Sequence, residues 1–159
     1  MDAGLTQMQR RLADYRNSLL REGVLDSQYI QLHELQDESN PGFVVEVVSL
    51  FLTDSEKLLE DLSRDLVQRD VDFQRVDAHV DRLEGASRSI GTPRLKNACI
   101  AFRNLRNSSQ EKNIPGCLKC VEQMRQEFFL VKSKLEALFN LEKQIVAAGG
   151  SIPKLQPSF

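Results

Sequence analysis

Residues 43–66 read FVVEVVSLFLTDSEKLLEDLSRDL. Within them Val44, Val47, Val48, Phe51, Leu58, Leu59, Leu62 and Leu66 return at steps of three, four or seven. That spacing gathers side chains on one side of an α-helix, whereas a half-buried strand needs alternation at every second residue. The positions between them are mostly Asp, Glu, Ser, Lys or Arg, so the helix is two-faced. A stripe this long and this apolar must be covered by other elements, because propensity alone does not hold a helix in water.

Working outward from this segment, the same period recurs on both sides. Downstream, Asp72 is placed to cap a helix whose inner stripe is Phe73, Val76, Val80, Leu83, Ser87 and Ile90, with Gly91 as its stop. Thr92-Pro93 opens the next helix, a capping residue followed by a first-turn proline, and Leu95, Cys99, Phe102 and Leu105 follow on one face. After a polar stretch from Asn107 to Asn113, Pro115 starts a long helix with Leu118, Val121, Met124, Phe128, Val131, Leu135 and Leu138 expected inward. Upstream, Leu5, Met8, Leu12, Tyr15 and Leu19 make one stripe that ends near Gly23. Ser27 is expected to cap a short helix carrying Ile30, Leu32 and Leu35, and Asn40-Pro41 to cap and begin the segment quoted above. No segment alternates like a strand. The expected fold class is all-α: an antiparallel four-helix bundle from Phe43 to about Ile145, with two additional N-terminal helices covering one end or flank. Residues 1–146 read as one domain, and 147–159, rich in Gly, Pro and Ser, as a flexible tail.

Composition limits what such a bundle is for. Apolar residues make up 41% and charged residues 28% of the 159, and the formal net charge is −2. Nucleic acid and anionic membranes both need a basic face, so neither is expected as the partner. No apolar run approaches the roughly 18 residues of a membrane span, and Met1 to Arg11 lacks the apolar core of a secretory signal. Three cysteines, an odd number, suit a reducing compartment. The expected location is the cytoplasm, with the nucleus open to it.

Few residues invite chemistry. There are only two histidines, His33 and His79, no tryptophan and no Gly-rich phosphate loop. Cys117 and Cys120 have redox or metal spacing but lack a second ligand pair, and they read as helix thiols. Cys99 reads as a buried small apolar residue. Asp54, Glu56, Glu60, Asp61 and Asp65, interleaved with Lys57 and Arg64, read as a solvated helix face. No metal and no cofactor is expected.

The helix around residues 73–90 carries more information. At about 100° per residue, with Val76 at zero, Asp81 falls near 140°, Arg88 near 120°, Gly85 near 180° and Ala78 near 200°. These share the outward face, and Glu84, near 80°, stands at its edge. Glycine inside a helix costs about 1 kcal/mol relative to alanine, so Gly85 suggests close approach of something to the backbone. His79, near 300°, lies on the flank of the buried stripe and reads as a packed residue.

Residues 76–91, VDAHVDRLEGASRSIG, resemble the signature of the plant histidine-containing phosphotransfer proteins, in which a Val-Asp-Ala-His-Val run precedes His-x-Leu-Lys-Gly-Ser. The similarity continues through Arg94 to Arg103, includes Ser39-Asn40-Pro41, and runs from Gly116 to Glu142. The resemblance implies a helical module that relays phosphate between receiver domains of hybrid sensor kinases and response regulators, as in cytokinin signalling. It departs from the pattern where the chemistry sits. The acceptor histidine of the family falls on Asp81 and its lysine on Glu84, whereas Leu83, Gly85, Ser87, Ser89 and Gly91 are kept. An aspartate offers no imidazole nitrogen to phosphorylate, and the lost lysine removes a supporting charge. The expectation is therefore a pseudo-phosphotransfer protein, not an enzyme, that binds receivers and lowers phosphate flow. Its partner-binding face would be Ala78, Asp81, Arg82, Glu84, Gly85, Arg88 and Ser89, rimmed by apolar residues of the first two helices. The alternatives are an active protein using His79 as acceptor and a helical scaffold that binds no receiver. A receiver's phosphorylation pocket is acidic and holds a divalent metal. Asp81 and Glu84 would thus meet it with like charge, unless the metal bridges them or Asp81 mimics a phosphorylated histidine.

Overall fold

The computed structural model describes residues 3–108 and 113–153. They form six helices and, among the described residues, no strand: α1 (Ala3–Arg21), α2 (Ser27–Glu34), α3 (Phe43–Leu66), α4 (Phe73–Ile90), α5 (Pro93–Ser108) and α6 (Ile114–Ala147). The helices α3 to α6 pack in a ring, each against the next and α6 back against α3, while α1 lies on α6 and α2 on α4. This is the expected four-helix bundle with its two N-terminal helices.

The ends of the helices follow local chemistry. Asp72 accepts a hydrogen bond from the Arg75 amide at 3.2 Å, and Asn113 accepts one from the Gly116 amide at 2.9 Å. Both satisfy amides that an α-helix leaves unpaired in its first turn. Gly91 closes α4 with φ 89°, a left-handed conformation that glycine adopts without steric cost. Two expected caps are corrected. The cap of α2 is Asp26, which accepts from Gln28 N at 2.9 Å, and Ser27 is the first helical residue. At α3 the Asn40 side chain turns back to accept from the Asp37 amide at 2.8 Å, so it is not free to cap. Gln36 does that work from a distance, accepting from Val44 N at 2.9 Å, and Pro41 stays in the preceding turn.

The core is the stripe pattern closed on itself. Val48, Leu62, Val76, Leu83, Leu95, Phe102, Phe128, Val131 and Leu135 are all fully buried. Truncating any of the leucines to alanine should cost about 2–5 kcal/mol. In α6 the inward register begins at Cys117, not Leu118; Cys117 is buried and Leu118 exposed. Cys117 lies four residues before Val121, which the helical repeat selects, and Leu118 lies three before it on the other side of the stripe.

Two junctions tie the N-terminal helices down. The Asp26 amide donates to Gly91 O at 3.0 Å. A β-carbon on Gly91 would strike Tyr29 N and the Asp26 carboxylate, so the end of α4 must be glycine for α2 to seat. Tyr15 donates to Lys134 O at 3.1 Å, joining α1 to α6. Beside it Arg16, 2% exposed, lies 3.9 Å from Glu142 and donates to Pro153 O at 2.5 Å. The chain after α6 is thus held where a flexible tail is expected: Gln9 donates to Ser151 O at 2.9 Å and Ile152 packs on the core. The rest of the expected tail, 154–159, lies outside the described residues. No described helix is long and apolar enough to cross a membrane.

Candidate functional site

The outward face of α4 is where the wheel places it. Ala78, Asp81, Arg82, Gly85, Arg88 and Ser89 are all exposed. Beyond its own helix backbone Gly85 meets nothing among the described residues: a β-carbon built there has no such neighbour within 4 Å. The fold therefore does not require glycine at this position, and the open space above it is available to another molecule. On one side a groove between α3 and α4 is lined by Phe51, Ser55, Leu58, Asp81, Gly85 and Ser89. From the same Ser89 a second, shallow groove runs to Ile30 and Leu32 of α2 and to Leu35 just after it. Leu35 and Leu50, 63% and 64% exposed, stand at α2 and α3 as bare apolar side chains. The apolar rim thus comes from α2 and α3.

Glu84 departs from expectation. It is 6% exposed, buried under arginines and not lying open at the edge of the face. One terminal nitrogen of Arg103, on α5, bridges the two carboxylates, 3.1 Å from Asp81 Oδ1 and 2.9 Å from Glu84 Oε1. Arg88 approaches the other Glu84 oxygen at 3.4 Å. The Glu84 contact is charge attraction more than a directed bond, since its oxygen is poorly aligned for hydrogen bonding. The hydrogen bond to Asp81, more than the nearby charges, holds the Arg103 guanidinium above its ordinary pKa. One turn along, Arg106 donates to both oxygens of Asp77 at 2.9 and 3.1 Å and lies 4.1 Å above the Phe73 ring. Arg103 and Arg106 with Asp77, Val80 and Asp81 border a small polar hollow between α4 and α5.

The histidines are elsewhere. His79 faces α3, with Nδ1 3.6 Å from Asp65 and its side chain 16% exposed. Arg75 pairs with the same Asp65 oxygen at 3.1 Å. Asp65 therefore belongs to an α3–α4 contact, and Glu56 pairs with Lys132 of α6 at 3.3 Å, so the carboxylates of α3 are more than a solvated face. His33 lies edge-on to Tyr29 at 5.4 Å on the far side of α2, and burial pushes its pKa down to about 4. All three cysteines are free. Burial pushes the Cys99 thiol up to about 12 and raises those of Cys117 and Cys120, which removes thiolate character from the pair. Among the described residues no group of His, Cys, Asp or Glu is arranged to hold a metal ion.

This geometry can be set beside known proteins. The Hpt domain family model matches residues 46–140, which takes in α4 and α5 whole and most of α3 and α6. The chain is a member of the Hpt family. Along 98% of its length it is 52% identical to histidine-containing phosphotransfer protein 1 of Arabidopsis thaliana, covering 99% of that protein. It is also 38% identical to pseudo histidine-containing phosphotransfer protein 6 of the same plant, over 92% of this chain and 94% of that one. The crystal structure of a histidine-containing phosphotransfer protein from Medicago truncatula superposes with a TM-score of 0.82 at 42% identity, over 91% of this chain and 96% of that one.

Proposed function

We propose that this Hpt protein is a pseudo-phosphotransfer protein: it docks receiver domains of histidine kinases or response regulators, relays no phosphate, and so damps phosphorelay signalling of the cytokinin type in cytoplasm and nucleus. The observation that carries this reading is Asp81, a carboxylate on the exposed face where the family signature has its acceptor, while His79 of the same helix pairs with Asp65 on α3. A carboxylate would have to form a mixed anhydride, and this one is engaged with Arg103 at 3.1 Å. His79 is no substitute. It is turned toward Asp65 on α3, and bringing it to the Asp81 face would expose buried Val76 and Val80. The docking half of the proposal rests on Gly85, open and unneeded by the fold, in the groove between α3 and α4, with Leu35 and Leu50 exposed on the neighbouring segments.

The test is to mix the protein with a receiver carrying labelled phosphate. Binding without transfer of label is the expected result; stable label on His79 would overturn it, and no binding at all would leave a scaffold of another kind. Asp81→His should bring phosphate acceptance back. It should do so better alone than together with Glu84→Lys, because a lysine in that buried position would meet Arg88 and Arg103 and repel both.

A further inference from the structure

Read along α4 alone, the face is acidic at its centre: Asp77, Asp81 and Glu84 follow at helical spacing. The folded face is different, because α5 lays Arg103 and Arg106 across the groove onto these carboxylates. Counting Arg82 and Arg88 on α4 and Asp54 across the α3 groove, four guanidinium groups stand among four carboxylates. The charges interleave and do not separate into patches. Arg103 is the member on which the balance turns. A single nitrogen of it touches both Asp81 and Glu84, and its own side chain is still 40% exposed, so it lies at the surface a partner would meet.

We propose that Arg103 is a specificity-determining residue of the docking face: by bridging Asp81 and Glu84 it keeps the face electrically neutral, so that the protein docks a receiver whether or not a divalent cation occupies the receiver's acidic pocket. This rests on the receiver-docking reading above. The physical reason is simple. Without Arg103, the exposed Asp81 has no answering charge and Glu84 keeps only Arg88; against an acidic pocket that unanswered charge repels, and a metal ion between them would relieve it. With Arg103 in place the relief is built into the protein. The same bridge leaves Asp81 a poor mimic of phosphohistidine, since its negative charge is answered within the chain before any partner arrives.

The measurement is receiver affinity by calorimetry, with magnesium and with EDTA, for the full chain and its variants. The unaltered protein should bind with a Kd that changes less than about threefold between the two conditions. Arg103→Gln should bind roughly tenfold or more weakly in EDTA and recover most of that loss in magnesium. Adding Asp81→Asn to Arg103→Gln should restore metal-independent binding. Since Arg103→Gln also leaves the buried Glu84 with Arg88 as its remaining partner, Glu84→Gln with Arg103→Gln serves as the variant that keeps the fold; its remaining Asp81 should still make binding metal-sensitive. The inference fails if the unaltered protein loses tenfold on metal removal, if Arg103→Gln is weakened equally in both conditions, or if Asp81→Asn does not rescue it. Absence of binding by the unaltered protein under both conditions sinks the docking reading itself, a different and distinguishable outcome.

Discussion

Two arginines of this protein each serve acidic groups, and they serve them to opposite ends. Arg103 lies on the outside of the bundle, half-exposed, bridging Asp81 and Glu84 from α5 to α4. Arg16 lies inside, between α1, α2, α6 and the chain after α6, with Glu142 and the Pro153 carbonyl as partners. Around Arg16, Tyr29 Oη, His33 Nε2 and Glu142 Oε2 are buried without hydrogen-bond partners. Burial dominates there. It lowers the Arg16 pKa, raises that of Glu142 despite the arginine beside it, and raises that of Tyr29. At Arg103 the hydrogen bond to Asp81 dominates and burial is secondary. A charge in water's reach shapes what the protein meets, and a charge cut off from water shapes whether it folds.

The comparison breaks most visibly at Arg16. Arg16→Ala should cost about 3 kcal/mol or more in urea denaturation, because it strands Glu142 in the interior. Receiver affinity of the folded fraction should not move. A stability loss below about 1 kcal/mol would mean that the inner cluster is not what pins α1.

A second, somewhat smaller effect comes from pH. His33 has its pKa pushed down to about 4 from 6.5, so the unfolded chain takes up its proton before the folded chain does. Stability should be complete above pH 6.5, fall as pH drops from 6.5 to 4, and lose nothing further from this source below that; the total is on the order of 3 kcal/mol. Glu142 works in the other direction, since its raised pKa lets the folded state bind a proton early. Thermal melts of His33→Gln against the parent across this range should show the decline flattened. An unchanged slope would remove His33 as its cause.

The smallest stability effect falls on the outer site and sharpens the contrast. Gly85→Ala should stabilise the fold by about 0.5–1 kcal/mol, since the new β-carbon meets nothing and helix propensity improves. The same change should weaken receiver binding. If binding is untouched, the open space over Gly85 is not where the partner sits.

The periodic stripes made the bundle readable, and the same wheel placed Ala78, Asp81, Gly85 and Arg88 outward and His79 on the flank of the buried stripe without a structure. What a wheel does not carry is the element opposite. Glu84 sits at the margin of its own helix and is buried where Arg103 of α5 reaches over it and Arg88 of its own helix folds back. Arg16 is a different kind of miss, because a signal was present. It stands four residues after Leu12 and three before Leu19, on the stripe itself, and a charged residue there points to a buried partner. Glu127, beside Phe128 in α6, carries the same signal, and the structure pairs it with Arg94 at 2.7 Å. Leu118 misled because a leucine looks more inward than a cysteine, although the repeat favours Cys117. The cap from Gln36 to Val44 has no sequence signature, since it spans a turn whose shape is set by Asp37 and Asn40.

The seating of α1 on α6 and of α2 on α4 has a consequence for the order in which the molecule comes into being. Synthesis delivers α1 well before α6, yet α6 is the helix against which α1 packs. Until α6 is available, α1 waits with its apolar side bare, and the closing contact joins residues separated by more than a hundred positions, such as Tyr15 and Lys134. Any break in synthesis before α6 would therefore release a fragment with an adhesive front end.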